Sequence, residues 1–347
     1  MQPELFGAYL QNILEQPRAL RDTLNAPQPY DALQSLGAKL RAREIDTVIL
    51  TGMGASYHAL QPLVLELIAH DIRALRIETS ELMYHAPHLL HARNLIVPVS
   101  QSGFSAEIVK LLDMARAANA PCLGVTNTAD SPLAQKANTI VMTHAGNEHS
   151  VSSKTYVVTL AALSLIGAVW TAQSIDARRA QLMQAADATE TYLAHWQAHV
   201  AALMDNLKEI QHIVMVGRGA SLAAAGTGAL ITREAARMPC LDMSSAAFRH
   251  GPMEMLSPQM FVLVFQGTAP TQALNARLVD DIRATGAHAA LVRAENAPDA
   301  FALPPVAPEA LPLVEILVPE MISLALARLR GHIPGNFERN TKITTTE

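Results

Sequence analysis

The chain has 347 residues, half of them apolar and 16% charged, with a net charge of −5 spread along its length. That length suits about two domains. The apolar fraction supports large buried cores and a buried subunit interface, and the absence of a basic face argues against a nucleic-acid partner. Cys122 and Cys240 stand in apolar or mixed surroundings without metal-ligand spacing, so they read as free core thiols of a reducing compartment; neither metal nor cofactor is expected. The opening Met1-Gln2-Pro3-Glu4 lacks the basic and apolar regions of a secretory signal, and the expected location is cytoplasmic.

In chain order, residues 4–25 carry apolar side chains at helical spacing (Leu5, Tyr9, Leu10, Ile13, Leu14), with Pro17 as an interruption. Strands are expected at Thr47–Leu50, Ala74–Glu78, Asn94–Pro98, Pro121–Thr126 and Thr139–Thr143, with helices at 56–70, Glu81–His88, Ser105–Ala118 and 131–136 between them. Such alternation implies right-handed βαβ crossovers and a parallel sheet covered on both faces. No charge occurs from Thr155 to Ser174. A run of that length could span a bilayer, but its threonines, serines and glycine suit a helix buried in an α/β core. Residues 175–207 are Ala-rich, helical and more polar, including Arg178 and Arg179, and read as a connector. The second half then repeats the alternation through about Leu329, and the tail from Arg330 to Glu347 has little periodicity.

One short pattern occurs twice, as Gly52-Met53-Gly54-Ala55-Ser56 and Gly217-Arg218-Gly219-Ala220-Ser221, each following a β-branched run and leading into an Ala/Leu-rich stretch. A dinucleotide fingerprint needs a third glycine three residues on, where this chain has Tyr57 and Leu222. The stronger chemical signal is Ser100-Gln101-Ser102-Gly103-Phe104-Ser105, directly after an apolar strand. Unpaired N–H groups and the positive end of the dipole at a helix N-terminus suit a phosphate. Ser56 projects to the same carboxyl edge of the sheet, where open α/β folds bind ligands. Helix capping accounts for one serine per helix, not three hydroxyls and a carboxamide in six residues. At the same offset in the second half stand Phe265, Gly267 and Pro270, so phosphate anchoring is expected in the first half only.

Other candidates have bland readings beside the functional one. Glu148-His149-Ser150-Val151-Ser152-Ser153-Lys154 opens the long apolar helix and can cap it, and Lys154 alone reads as a solvated helix-start charge. Glu234 follows on the helix after Gly217, where Arg233 or Arg237 could pair with it. His250, in Phe248-Arg249-His250-Gly251-Pro252-Met253-Glu254, titrates near neutrality and could exchange protons with a sugar hydroxyl. Lys342, in an aperiodic tail, reads by default as a surface charge.

Taken in this order, Gly-Met-Gly-Ala-Ser, Ser-Gln-Ser-Gly, Val-Ser-Ser-Lys, Gly-Arg-Gly with Gly-Ala-Leu-x-x-x-Glu, Arg-His-Gly-Pro and a C-terminal Lys with Glu five residues later resemble the SIS (sugar isomerase) family. The likeness is to the isomerase half of glucosamine-6-phosphate synthase and its free-standing deaminase and deglycase relatives. It implies an α/β protein of two tandem SIS domains, each a parallel-sheet flavodoxin-like αβα sandwich, in a homodimer. The implied divisions are a helical segment at 1–30, a phosphate-binding domain at 31–175, a helical connector at 176–207, a second domain at 208–330 and a tail over the active site at 331–347. The resemblance places a sugar phosphate on Ser56, Ser100, Gln101, Ser102 and Ser105, with Val151 and Ser153 near the sugar. By the same carry-over Glu234 moves a proton between C1 and C2, His250, donated across the dimer, assists ring opening, and Lys342 forms a Schiff base with the open-chain carbonyl. Two positions depart from the synthase pattern: Ile231 stands where a lysine precedes the catalytic Glu, and Phe104 where an acidic residue follows Ser-Gln-Ser-Gly. No N-terminal Cys nucleophile of a glutaminase half is seen, so the expected reaction is isomerisation coupled to deamination of an amino sugar 6-phosphate. Deglycation of a sugar-amino acid phosphate and a non-catalytic sugar-phosphate sensor stand as alternatives.

Overall fold

The computed structural model describes residues 6–339 and 341–344; the opening Met1-Gln2-Pro3-Glu4 and the final Glu347 lie outside them. The chain forms two compact units, each built on one sheet. The first-sheet unit comprises Arg18–Asn147, Lys154–Met183 and the chain from Arg339. The second-sheet unit comprises the chain up to Pro17, Glu148–Ser153 and Gln184–Glu338.

The first sheet contains β1 (Thr47–Gly52), β2 (Ala74–Glu78), β3 (Asn94–Val99), β4 (Leu123–Thr126) and β5 (Thr139–Met142), all parallel in the order β2-β1-β3-β4-β5. β1 and β3 are central and almost wholly buried, which is why they read as continuous apolar runs rather than alternating ones. Pro98 thins the ladder between β3 and β4. The N–H groups of Ile96 and Ser100 reach Pro121 and Val125, and the position between them, which would face the same way, has no N–H to give. Helix Ala106–Ala117 packs one face of the sheet through Ile108, Leu111 and Leu112, together with Leu82, Met83 and Leu133.

The uncharged stretch forms helix Lys154–Trp170, whose residues are buried apart from Ser164. At 1.5 Å per residue it is roughly 26 Å long, and no helix among the described residues is long and apolar enough to cross a membrane. Lys154 is not the solvated charge expected at its start. It is 2% exposed and carries a polar partner, because this helix lies in the core along its whole length. Helix Tyr30–Arg41 falls in a stretch to which the sequence reading assigns no element. It packs on Lys154–Trp170, with Gly37 close to Trp170 and Arg41 donating to the Trp170 carbonyl at 2.7 Å, a basic side chain closing a helix end.

Arg178 is buried rather than solvated. Its Nη2 reaches Glu66 Oε1 at 2.8 Å, its Nη1 reaches Glu66 Oε2 at 3.2 Å, and it also donates to Ser164 and Gln173. A paired carboxylate stranded by loss of its guanidinium is costly when buried. Arg178→Ala is therefore expected to destabilise the fold by about 3 kcal/mol, read as a lowered denaturation midpoint. A midpoint within error of the parent would show the pair to be dispensable.

The second sheet contains β6 (His212–Gly217), β7 (Cys240–Ser244), β8 (Met260–Phe265), β9 (His288–Ala294) and β10 (Ala302–Leu303). Their order, β7-β6-β8-β9-β10, is the same as in the first sheet, and again every pairing is parallel. Val214, Val216, Val262, Val264, Phe248, Leu278 and Ile282 form its core. On the other side of β6, helix Leu222–Ala236 packs on Leu317–Leu329, and that helix on Trp196–Leu207. Pro17 sits in the first turn of helix Gln16–Asn25, after a break from Gly7–Leu14 at Glu15, a position where its missing N–H costs nothing.

Candidate functional site

In the first sheet the strand order reverses between β1 and β3, and the loops after these two strands border the crevice where open parallel sheets take ligands. One loop begins at Gly52, where a Cβ would lie 3.0 Å from the Val99 carbonyl. A glycine is needed for the two strand ends to come this close. The other is the Ser100–Ser105 loop, and it is held from behind: the Gln101 carbonyl accepts from the Asn127 N–H at 3.0 Å and from the hydroxyls of Thr126 and Thr128 at 3.2 and 3.3 Å. Gly103 has φ of +67° and would drive a Cβ to 2.3 Å from Ser131 Oγ, so both conformation and space require it.

Ser100 and Ser102 are buried, at 6% and 7% exposed. Ser100 Oγ accepts the Gly103 N–H at 3.1 Å, and Ser102 Oγ accepts the Phe104 N–H at 3.2 Å. Each hydroxyl so used keeps its own O–H to donate. Ser105 occupies the N-cap position of helix Ala106–Ala117 without making a side-chain cap bond, so capping does not account for it. Ser56 is half-buried on helix Gly54–Ala59, and Gln101 is half-buried in its loop.

The tail returns to this loop. The Ala106 N–H donates to the Thr344 carbonyl at 3.3 Å, which sets Lys342 two residues from a contact at the helix start. Lys342 is half-buried and engaged with a partner, not a loose surface charge. Ser56, Ser100, Gln101, Ser102, Ser105 and Lys342 thus belong to the first-sheet unit.

Glu234, His250, Val151 and Ser153 belong to the second-sheet unit. Glu234 is half-buried on helix Leu222–Ala236. The neighbouring arginines are occupied elsewhere: Arg233 lies 3.8 Å from Asp242 and donates to the Cys240 carbonyl, and Arg237 pairs with Glu338 at 2.7 Å and donates to the Asn336 carbonyl. His250 is exposed just past the short helix Ser245–Arg249, with Nδ1 3.0 Å from the Ala246 carbonyl. A carbonyl can only accept, so this contact puts the proton on Nδ1 and leaves Nε2 as the basic nitrogen. Val151 and Ser153 are fully buried, and Ser153 gives its N–H and hydroxyl to Glu148 Oε1 at 3.0 and 3.3 Å.

An acidic cluster that sequence reasoning missed surrounds Tyr9 in this unit. Burial, joined by the charges of Glu320, Glu234 and Glu148, holds the Tyr9 phenol well above its usual range. Burial likewise raises the Glu320 carboxyl, although Gln16 donates to it at 2.6 Å. A signal was present: Glu320 is the one acid within the otherwise apolar run Leu317-Val318-Pro319-Glu320-Met321-Ile322, and such a residue is buried unless the helix turns it outward. Both thiols are free and buried, and burial pushes Cys122 up to about 11 and Cys240 to about 12, which keeps them unreactive. Among the described residues no acidic, His and Cys side chains group as a metal site.

Residues 42–168 match the protein family described as SIS domain. Nearly the whole chain, 97%, is similar to a glutamine--fructose-6-phosphate aminotransferase [isomerizing] of Thermococcus kodakarensis, at 26% identity over 356 aligned residues, and spans 58% of that relative's length. Among solved structures, the C-terminal domain of glucosamine-fructose-6-phosphate aminotransferase from Francisella tularensis superposes with a TM-score of 0.81 at 20% identity, covering 93% of this chain and 96% of that one. A glucosamine-6-phosphate deaminase from Thermotoga maritima superposes with a TM-score of 0.75 at 17% identity, covering 97% and 99%; these two structures speak for the fold.

Proposed function

This chain carries a SIS domain over residues 42–168, and from that premise we propose that it is a phosphosugar-processing enzyme. In this reading it interconverts aldose and ketose forms of an amino sugar 6-phosphate and releases ammonia. The observation that carries the reading is the Ser100–Ser105 loop. Its buried Ser100 and Ser102 hydroxyls, its half-buried Gln101 and the start of a twelve-residue helix follow β3 at the reversal of strand order, a setting suited to a phosphate dianion.

The roles follow from the chemistry of each group. The serine loop and Ser56 hold the phosphate and keep the carbon chain in register. His250, through Nε2, takes the anomeric hydroxyl proton and delivers it to the ring oxygen as the C1–O5 bond breaks and the C1 carbonyl forms. Glu234 removes a proton from one carbon of the C1/C2 pair and returns it to the other through an enediol or enolamine, and water then hydrolyses the resulting C2 imine to the ketose and ammonia. The Lys342 amine can alternatively add at the C2 carbon of the isomerised open chain, expelling ammonia to form its own imine, and hydrolysis of that imine gives the ketose and returns the lysine. Val151 and Ser153 lie near the sugar in this scheme, which further takes the enzyme to act as a homodimer in the cytoplasm, with His250 supplied by the partner; sedimentation of the active form reads the dimer directly. No cofactor is needed for these steps.

Incubation with glucosamine 6-phosphate, galactosamine 6-phosphate and fructoselysine 6-phosphate, with assays for ammonia, amino acid and hexose phosphate, tests the reading. Release of a free amino acid in place of ammonia would make the enzyme a deglycase, an outcome favoured by Ile231, fully buried where the synthase pattern has a lysine. No conversion of any of the three with retained binding would make it a sensor. For the anchor itself, Ser102→Ala is expected to raise KM for the phosphosugar about tenfold or more, with a smaller change in kcat, by loss of a hydrogen bond to a charged group. An unchanged KM would remove this serine from the phosphate site.

A further inference from the structure

The second sheet has its own reversal of strand order, between β6 and β8, and the loops after those strands are Gly217–Ser221 and the segment from Gln266 to Pro270. They come together at Gly267, where a Cβ would lie 3.1 Å from Ser221 Oγ. A cavity of about 180 Å³ opens there, lined by Ala220, Ser221, Thr268, Leu311, Pro312 and Glu315 among others. The topology that places a ligand crevice at the first sheet therefore places a second one here.

The lining of this cavity is unlike that of the serine loop. Glu315 is 1% exposed, and its Oε1 accepts from the Ser221 hydroxyl at 2.7 Å. Its Oε2 is buried and has no hydrogen-bond partner among the described residues. A buried carboxyl oxygen without a partner is costly, and this one belongs to a residue that lines the cavity. Burial pushes the Glu315 carboxyl up to about 8, so near neutrality it is the acid, with one oxygen accepting from Ser221 and an O–H left to donate. No lysine or arginine lines the cavity, and its other titratable residue is Glu309, so an anion would meet two acidic side chains there and no cation.

We propose that the switch-point cavity of the second sheet is a separate binding site for a neutral, hydroxyl-bearing small molecule such as an unphosphorylated sugar or polyol, which accepts from the Glu315 carboxyl and exchanges hydrogen bonds with Thr268. The site stands apart from the phosphate chemistry proposed for the first sheet and does not depend on it.

Isothermal titration of the full chain with sorbitol, glucose and N-acetylglucosamine, and with inorganic phosphate as competitor, tests the assignment. At least one of the three is expected to bind at one site per chain, with phosphate failing to displace it and Ser102→Ala leaving its affinity unchanged. Glu315→Met and Thr268→Val are each expected to weaken it about tenfold or more, whereas Glu315→Gln, which keeps a donor, retains binding. Thr268→Val carries the test should Glu315→Met fail to fold. The assignment is overturned if none of the three binds at tens of millimolar, if both weakening variants bind as the parent does, or if phosphate competes.

Discussion

Glu234→Gln is expected to lower turnover of the true substrate by about 10²–10⁴-fold, the usual worth of a positioned acid–base group, while leaving phosphosugar affinity near the parent value. The amide is nearly isosteric with the carboxyl but cannot take a proton from carbon. The arginines flanking Glu234 in sequence are engaged with Asp242 and Glu338, so each keeps a carboxylate partner in the variant. Affinity is kept because the phosphate is assigned to hydroxyls and N–H groups of the Ser100–Ser105 loop. Steady-state kinetics and equilibrium binding separate the two effects, and solvent-proton exchange at C2 reads the proton transfer itself. Near-parent turnover would remove Glu234 from the mechanism and revive either another base or the sensor.

The second large effect concerns Lys342. Should the amine of Lys342 form an imine with the open-chain sugar, borohydride in the presence of substrate will reduce it to a stable secondary amine, adding the sugar phosphate mass to one peptide. Lys342→Met is expected to abolish the adduct and to lower kcat by an order of magnitude or more, since ammonia must then leave by direct hydrolysis of the sugar imine without a lysine nucleophile to expel it. The tail reaches Ala106 through Thr344, so a second variant guards against mere loss of tail docking. Lys342→Arg keeps the charge and length but cannot form the imine, and it should behave as Lys342→Met in the trapping assay. Trapping on a different lysine, or undiminished trapping in Lys342→Met, would refute the assignment.

Much of this organisation was legible before any coordinates. Thr47–Leu50 and Ile213–Val216, each ahead of Gly-x-Gly-Ala-Ser, are rich in β-branched residues and uncharged, as strands of a covered parallel sheet are, and both proved to be interior strands. The hydroxyl-rich turn after β3 stood out because several polar side chains in six residues exceed what one helix end can use. The uncharged run after Lys154 read as a core helix for the same kind of reason, since its interspersed threonines and serines suit packing in an α/β interior, where each hydroxyl can bond its own helix: Thr159 returns to the Thr155 carbonyl at 2.7 Å.

What sequence determined by itself was therefore local: strand, turn and helix identity, which depend on periodicity and turn chemistry within a few residues. Tertiary structure alone decided the pairings between distant segments. Nothing near Lys342 announces that Thr344 will meet Ala106, nothing in the connector marks Arg178 as the buried partner of Glu66, and nothing around Glu315 points to Ser221. The segment Glu148–Ser153, read from sequence as the opening of the long apolar helix, counts with the second sheet, whereas the helix it precedes counts with the first. Charged side chains carry no periodic signal of their own, and whether one is solvated or buried is set by what the topology brings against it. The pairs formed within each unit, and the carboxyl that lines the second cavity, became visible only when both partners had been placed.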